Sequence, residues 1–334
     1  MKRQIISILI ATYWVGALPA AAQQGSTAAQ FLKIGVDARS SGMGQAVVAA
    51  ASDVSALYWN PAGLAKLPGS SLLISHTSWI ADINHDFVAF AIPLNGAALG
   101  VSLIALNLGE IEITTIEKPM GTGSYYDASD LALAFTYARQ MTDRFNVGIT
   151  AKYIRQAIQN EVASGIGFDI GTSLDVGVSG LKLAMALTNY GVGMRMHGDD
   201  LIIPFTPGPA STPIKAQLET REFPLPTNFR IGIAFELIGG HSRFIPSEAS
   251  TLIVAADANH PIDEKERGNV GAEYNWNQKI LIRGGYKFRY SEQGFSYGFG
   301  LQMGYSDMFL RLDYAQTRFG MLNTVHQFSA QFSF

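Results

Sequence analysis

From Phe295 to Tyr305 every second residue is large and apolar: Phe295, Tyr297, Phe299, Leu301, Met303 and Tyr305. Between them stand Ser296, Gly298, Gly300, Gln302 and Gly304. Successive side chains on a strand point to opposite faces, so this run encodes a ribbon with one bulky apolar face and one small polar face. Ile166, Phe168, Ile170, Thr172, Leu174, Val176 and Val178 repeat the pattern against Gly167, Asp169, Gly171, Ser173, Asp175 and Gly177. So do Phe145, Val147, Ile149, Ala151 and Tyr153, then Leu131, Leu133, Phe135 and Tyr137, and Phe229, Ile231, Ile233, Phe235 and Leu237. A strand that crosses a bilayer needs about 9–11 residues, which is the scale of these runs. A soluble sandwich also alternates, but its outer face is rich in Lys, Glu and Thr, and here the smaller face is Gly, Ser, Asn and sparse charge.

Composition agrees. The 334 residues are 48% hydrophobic and 15% charged, with 34 Gly and no Cys, whereas a soluble domain carries about 25% charged residues. No segment after the N-terminus reaches the roughly 18–20 unbroken apolar residues of a membrane helix, so the apolar residues are dispersed rather than blocked. The formal net charge of −3 argues against a nucleic-acid partner, which selects a basic face. With no Cys, disulfides, thiol catalysis and thiolate metal sites are excluded. Residues 1–22 read as a secretory leader: Lys2 and Arg3, an apolar core from Ile5 to Leu18, and small residues Ala20, Ala21 and Ala22 before Gln23. The domain reading is a signal peptide at 1–22, an N-terminal plug or periplasmic segment at 23–68, and an outer-membrane barrel at 69–334.

About fourteen strands are expected, near 69–79, 85–94, 97–107, 129–139, 144–157, 163–178, 181–190, 227–237, 250–259, 268–276, 279–290, 294–305, 308–318 and 324–334. An even count returns the chain to the side it entered, with short turns on the periplasmic side and long loops outside. The even-numbered joins are short, as at Asn95-Gly96 and Asn277-Gln278; the eighth, near 238–249, is the exception. Two long joins, near 108–128 and 191–226, fall on the odd side. They carry apolar residues that water would not hold in place, Tyr125, Tyr126, Ile202, Ile203 and Phe205, which mark a docking surface.

The final strand alternates His326, Phe328, Ala330, Phe332 and Phe334 with Gln327, Ser329, Gln331 and Ser333. Its aromatic terminus, Phe328, Phe332 and Phe334, resembles the signal read by the barrel assembly machinery. Glu273, Arg283, Lys287, Arg311 and Asp313 all take the inward phase of their strands. A charge facing lipid costs about 2–4 kcal/mol at the midplane, so the lumen is their place. There they form either a cross-strand ion-pair network or an anchor for a ligand.

Other constellations are weaker. The six His are dispersed. Neither His197 with Asp199 and Asp200, nor Asp257 with His260 and Asp263, has a metal-site spacing. Gly121-Thr122-Gly123-Ser124 is not followed by Lys and a helix, as a phosphate cradle requires. No catalytic residue, cofactor site or metal site is assigned, and the chain is expected not to be an enzyme.

The segment 23–68 has Gly-rich turns and a helical stretch from Val54 to Lys66, with Ser52 and Asp53 available to cap it and Asn60-Pro61 interrupting it. Ala29-Gln30-Phe31-Leu32-Lys33-Ile34-Gly35-Val36-Asp37-Ala38-Arg39, then Gly42-Met43-Gly44, and then Asp53 through Leu64 with Asn60-Pro61-Ala62-Gly63, resemble the opening of PorV/PorQ-family proteins. The Asn-Pro-Ala-Gly element is also similar to that of the FadL long-chain fatty-acid transporters. The resemblance implies an all-β transmembrane antiparallel barrel of about fourteen strands, FadL-like, with a short helical plug in which Gly42, Gly44, Asn60, Pro61 and Gly63 are the motif residues. It implies a bacterial outer-membrane scaffold or shuttle of type IX secretion. Its partners would be outer-membrane lipids, the assembly machinery and cargo sorting domains or secretion components. The alternative it carries is a FadL-like transporter of hydrophobic small molecules.

Overall fold

The computed structural model describes residues 25–334, apart from 179, 209–211 and 307; the leader expected at 1–22 lies outside the described residues. The two-faced ribbons are fourteen barrel strands: β1 Ser71–Ser78, β2 Asn84–Leu94, β3 Ala97–Glu112, β4 Tyr125–Gln140, β5 Phe145–Ile158, β6 Glu161–Asp175 and β7 Lys182–Gly191, followed by β8 Asn228–Gly239, β9 Ser250–Pro261, β10 Arg267–Trp276, β11 Ile280–Phe288, β12 Gln293–Tyr305, β13 Met308–Phe319 and β14 Thr324–Ser333. Each pairs antiparallel with its sequence neighbours. β14 pairs β1 from Ser71↔Ser333 to Ser78↔His326, which closes the sheet and leaves no open edge. The β7–β8 seam pairs Asn228↔Thr188 through Ala234↔Lys182.

The alternation sorts as the physics of a bilayer requires. Phe168, Ile282 and Phe295 lie about half exposed on the outer wall, while Asp169, Arg283 and Ser296 beside them are buried inside. That outer surface is stable only against hydrocarbon. One end of the barrel, the near end, carries the start of β1 and the finish of β14, where the Phe334 amide donates to the Ser70 carbonyl at 2.8 Å. The odd-numbered joins gather at the opposite, far end.

Two expectations change. β3 and β4 run further than 107 and 129: after a register shift, pairing resumes at Glu110↔Asp127 and continues through Ile111↔Tyr126 and Glu112↔Tyr125. Tyr125 and Tyr126 are therefore strand residues of an extended hairpin, not loop residues. The join at 192–227 is not structureless either; it folds Ile202–Phe205 against Ile214–Gln217 as a two-stranded ribbon.

The core sits inside the barrel and is built by residues 25–67. Helix α1 is Ala38–Gly42 and helix α2 is Ala56–Trp59; a 3-10 turn, Pro61–Lys66, follows. Asn60 is extended (φ −162°), which separates α2 from the turn where Pro61 opens a new N-terminus. Phe31, Leu32, Met43, Leu57, Trp59 and Leu64 are almost wholly buried. The last turn of the segment lies at the near end, with Lys66 Nζ donating to the Asp143 carbonyl at 2.8 Å. Residues 27–33 reach the far end, because Thr27 and Lys33 bond Asp263 in the join between β9 and β10.

Candidate functional site

The inward phases of β10, β11 and β13 bring four of the sequence-predicted charges together. Arg283 Nε meets Glu273 at 2.6 Å and its Nη1 meets Asp313 at 2.6 Å. Arg311 Nε meets Asp313 at 2.8 Å. The plug completes the circuit: Arg311 reaches Asp53 at 2.7 Å, and Arg39 bridges Asp53 at 3.2 Å and Glu273 at 2.9 Å. The result is a closed ring of three guanidiniums and three carboxylates in strict alternation, neutral as a whole, with five members buried and Arg311 half-buried. Removing charges from water costs several kcal/mol per ion, and only full pairing in good geometry offsets it. Here each acid has two partners and each Arg has two acids.

α1 and the approach to α2 position the plug's share of this ring. Asp37 caps α1 by accepting from the Ser40 amide at 2.8 Å, and its other oxygen accepts from the Trp59 indole at 2.8 Å. Burial, with Asp53 nearby, raises the Asp37 carboxyl above the usual carboxylate range despite those two bonds. Asp53 goes the other way. Burial would raise it, but Arg311 and Arg39 together hold it well below the ordinary value. Asp53 also accepts from the Ser55 amide at 3.0 Å, so one side chain both starts α2 and joins the ring.

Lys287, expected in the same network, is not part of it. It is buried four residues further along β11 and donates to Gln293 at 2.5 Å. Its separation from Arg283 along β11 places it beyond reach of the ring acids. Arg39 and Asp53 were visible in the sequence only as members of the family-like block. The four strand charges of the ring balance, two positive against two negative, so they carried no sign that the plug supplies partners.

The motif residues fasten the rest of the plug by close approach. Gly44 has φ +64°, a backbone state that favours glycine, and a Cβ there would stand 2.8 Å from the Tyr286 amide nitrogen. A Cβ on Gly42 would meet Gly298 Cα at 3.0 Å, and one on Gly63 would meet the Ala51 carbonyl at 2.2 Å. Across the lumen, Asn60 donates to the Val48 carbonyl at 3.0 Å and the Thr172 carbonyl at 3.1 Å. Wall Gly148 and Gly171 leave the space that Pro61 and Asn60 occupy. The glycines that make the inner face small are thus seats for plug backbone.

The far end is built differently. Thr27 Oγ1 and Lys33 Nζ both donate to Asp263, at 2.7 and 2.5 Å, and Lys33 also meets Glu264 at 3.0 Å. Burial lowers the Lys33 ammonium although Asp263 opposes it. Between this strap and the barrel wall lies a cavity of about 630 Å³. Arg230, from β8, lines it. Its guanidinium stacks over Trp59 at 5.0 Å and lies 6.0 Å from the Tyr58 ring. Beyond its inward phase, nothing in the sequence marks this residue.

Of the remaining site candidates, Ile202, Ile203 and Phe205 are exposed on the ribbon between β7 and β8, and Tyr125 is exposed while Tyr126 is half-buried. Phe328, Phe332 and Phe334 share the outward face of the terminal strand and its end.

A closed fourteen-strand barrel filled by its own N-terminal segment defines the class: a FadL-like barrel of the bacterial outer membrane. Several solved structures share the fold. The toluene transporter TbuX of Ralstonia pickettii is 14% identical, with a TM-score of 0.57, over 89% of this chain and 97% of that one. The CymD monoaromatic hydrocarbon channel gives 13%, 0.58, 90% and 98%. The toluene transporter TodX of Pseudomonas putida gives 13%, 0.57, 90% and 97%. No curated protein matches the chain. The model of the family described as type IX secretion system protein PorV matches residues 20–256, and the chain belongs to that family.

Proposed function

We propose that this protein is a non-enzymatic docking scaffold of type IX secretion, which receives exported proteins or partner subunits at the far end of the barrel. With the near end facing the periplasm, the far-end joins are extracellular. The observation that carries the reading is the ring. Arg283 and Arg311, the residues that a conduit would use to anchor a passing acid, are spent on fixing the plug to the wall. A plug held this way is a foundation for a surface rather than a gate. The surface is the ribbon with Ile202, Ile203 and Phe205, whose exposed apolar groups suit burial against a partner. The family's description as a secretion protein supports the same role.

A second reading, transport of hydrophobic small molecules, draws on the likeness to hydrocarbon transporters and on an apolar groove of about 740 Å³ in the outer wall, between Phe90, Phe135 and Phe168. The two separate in one experiment. Replacing Ile202, Ile203 and Phe205 together with Ser is expected to abolish capture of a secreted partner by cells while the heat-dependent gel shift of the barrel persists. Undiminished capture, combined with loss of toluene or fatty-acid uptake on deleting the gene, supports transport instead.

A further inference from the structure

The ring and the far-end cavity handle charge in opposite ways, and the difference points to a ligand. Arg230 is more than nine-tenths buried, yet it forms no ion pair within 4.0 Å among the described residues, and its Nε has no hydrogen-bond acceptor. Its near neighbours are the Trp59 and Tyr58 rings. Asp257 shares the wall, but its Oδ2 accepts from the Val48 amide at 3.0 Å instead. The other cations at this end are already committed: Lys33 to Asp263 and Glu264, and Arg267 to Glu264. Of the acids that line the cavity, Asp130 accepts from Gln156 at 3.1 Å, Glu264 holds the two cations just named, and Glu292 is exposed to solvent. A buried guanidinium with no carboxylate at ion-pair distance, and only the longer-range field of Asp257 to oppose it, is expensive, so a site that keeps one is suited to an anion from outside.

The rest of the lining narrows the class of anion. Carboxamides dominate the polar part; Asn189, Asn259, Asn269, Gln156 and Gln293 already bond within the protein, which leaves the Asn228 side chain to meet a ligand. Asn228 Oδ1 has no partner. A carboxamide offers donors and acceptors together, which matches the alternating N–H and C=O groups of an extended peptide and gives nothing to an acyl chain. A planar Arg fork matches a carboxylate in two parallel bonds. Trp79, Ile80 and Leu322, from joins at the far end, also line the cavity, so it opens on the side where the docking reading places the partner.

We infer that the far-end cavity captures the C-terminal carboxylate of an extended polypeptide, with Arg230 as the anion anchor and Asn228 pairing with a backbone group beside it. The inference rests on the docking reading and adds the chemical handle by which a partner is held.

Equilibrium dialysis of the full-length purified protein in detergent tests it. The probes are a degenerate pool of acetylated hexapeptides with a free C-terminus, the same pool C-amidated, and decanoate. The free-acid pool should be retained at least ten-fold better than the amide pool. Arg230→Met should erase that difference, and Arg230→Lys should keep part of it. The heat-dependent gel shift reports that each variant is folded. Asn228→Ala should weaken both peptide pools and leave decanoate unchanged. Equal retention of the two pools, retention of neither, or an unaffected Arg230→Met variant overturns the inference. Retention of decanoate that depends on Arg230, in place of peptide, assigns the site to a lipid-derived acid and overturns it as well. Because this assay uses no ribbon residue, it fails or succeeds independently of the Ile202, Ile203 and Phe205 variant.

Discussion

The lumen has two regions that treat buried charge differently. In the ring, each of three guanidiniums is closed on two carboxylates, and the plug supplies one of each. At the far end, Arg230 is buried too, stacks on aromatic rings and has no carboxylate within 4.0 Å among the described residues. Full pairing converts the first region into a clasp. Incomplete pairing leaves the second able to gain from an added anion. The contrast teaches where a plugged barrel is structural and where it is receptive.

The largest effect should come from opening the clasp. Arg283→Met strips Glu273 and Asp313 of a shared partner, and uncompensated buried charges of this kind cost about 3–5 kcal/mol. The temperature at which the barrel unfolds on gels should fall accordingly. An unchanged transition would mean that the ring contributes nothing to the fastening.

Acid should act on the clasp in one window only. The Asp53 carboxyl is held below its ordinary value by Arg311 and Arg39 in spite of its burial. A group depressed in the folded state contributes stability that is complete above its unfolded value, about 3.9, and is lost as pH falls through the folded value. Hydrogen exchange in α1 should therefore not speed up between pH 7 and pH 5, after correction for intrinsic rates, because the raised Asp37 carboxyl adds stability as it protonates, and it should rise only below about 4. Loosening near pH 6 would break the assignment.

The smallest effect sharpens the contrast. Arg230→Met removes a buried charge that has no carboxylate partner, so stability should be unchanged or raised by roughly 1 kcal/mol, against the loss from Arg283→Met. Matching losses from the two variants, read from the same gel transition, would erase the distinction between the regions.

The wall was legible in the sequence because a strand repeats every two residues and a bilayer enforces the pattern on every strand. Phe295 through Tyr305 marks β12 without ambiguity. Tyr125 and Tyr126 were misplaced because pairing beyond the membrane depends on a register shift at Asn107/Glu110 that no alternation announces. The strand half of the ring was legible through the same phases: Glu273, Arg283, Arg311 and Asp313 come together, while Lys287 pairs elsewhere. The plug half was not. Arg39 and Asp53 sit in short helices and turns, where no long periodicity exists, and their partners are more than 200 residues away. Arg230 was invisible for a related reason, since what distinguishes it is a missing partner.

The central claim is that the plug stays fixed while the protein works. The chain has no Cys, so a single introduced pair gives an unambiguous lock. Ser41 on α1 donates to Gln327 on β14 at 2.6 Å, which places these side chains together across the plug–wall boundary. Secretion of a reporter protein should be measured in cells that carry Ser41→Cys with Gln327→Cys, bridged by a short thiol cross-linker that spans the space left by the Gln side chain and is released by reduction. Equal secretion in the bridged and released states, with the cross-link verified by mass spectrometry, is the predicted result. Secretion that stops on bridging and returns on reduction would contradict the account and make the plug a moving gate.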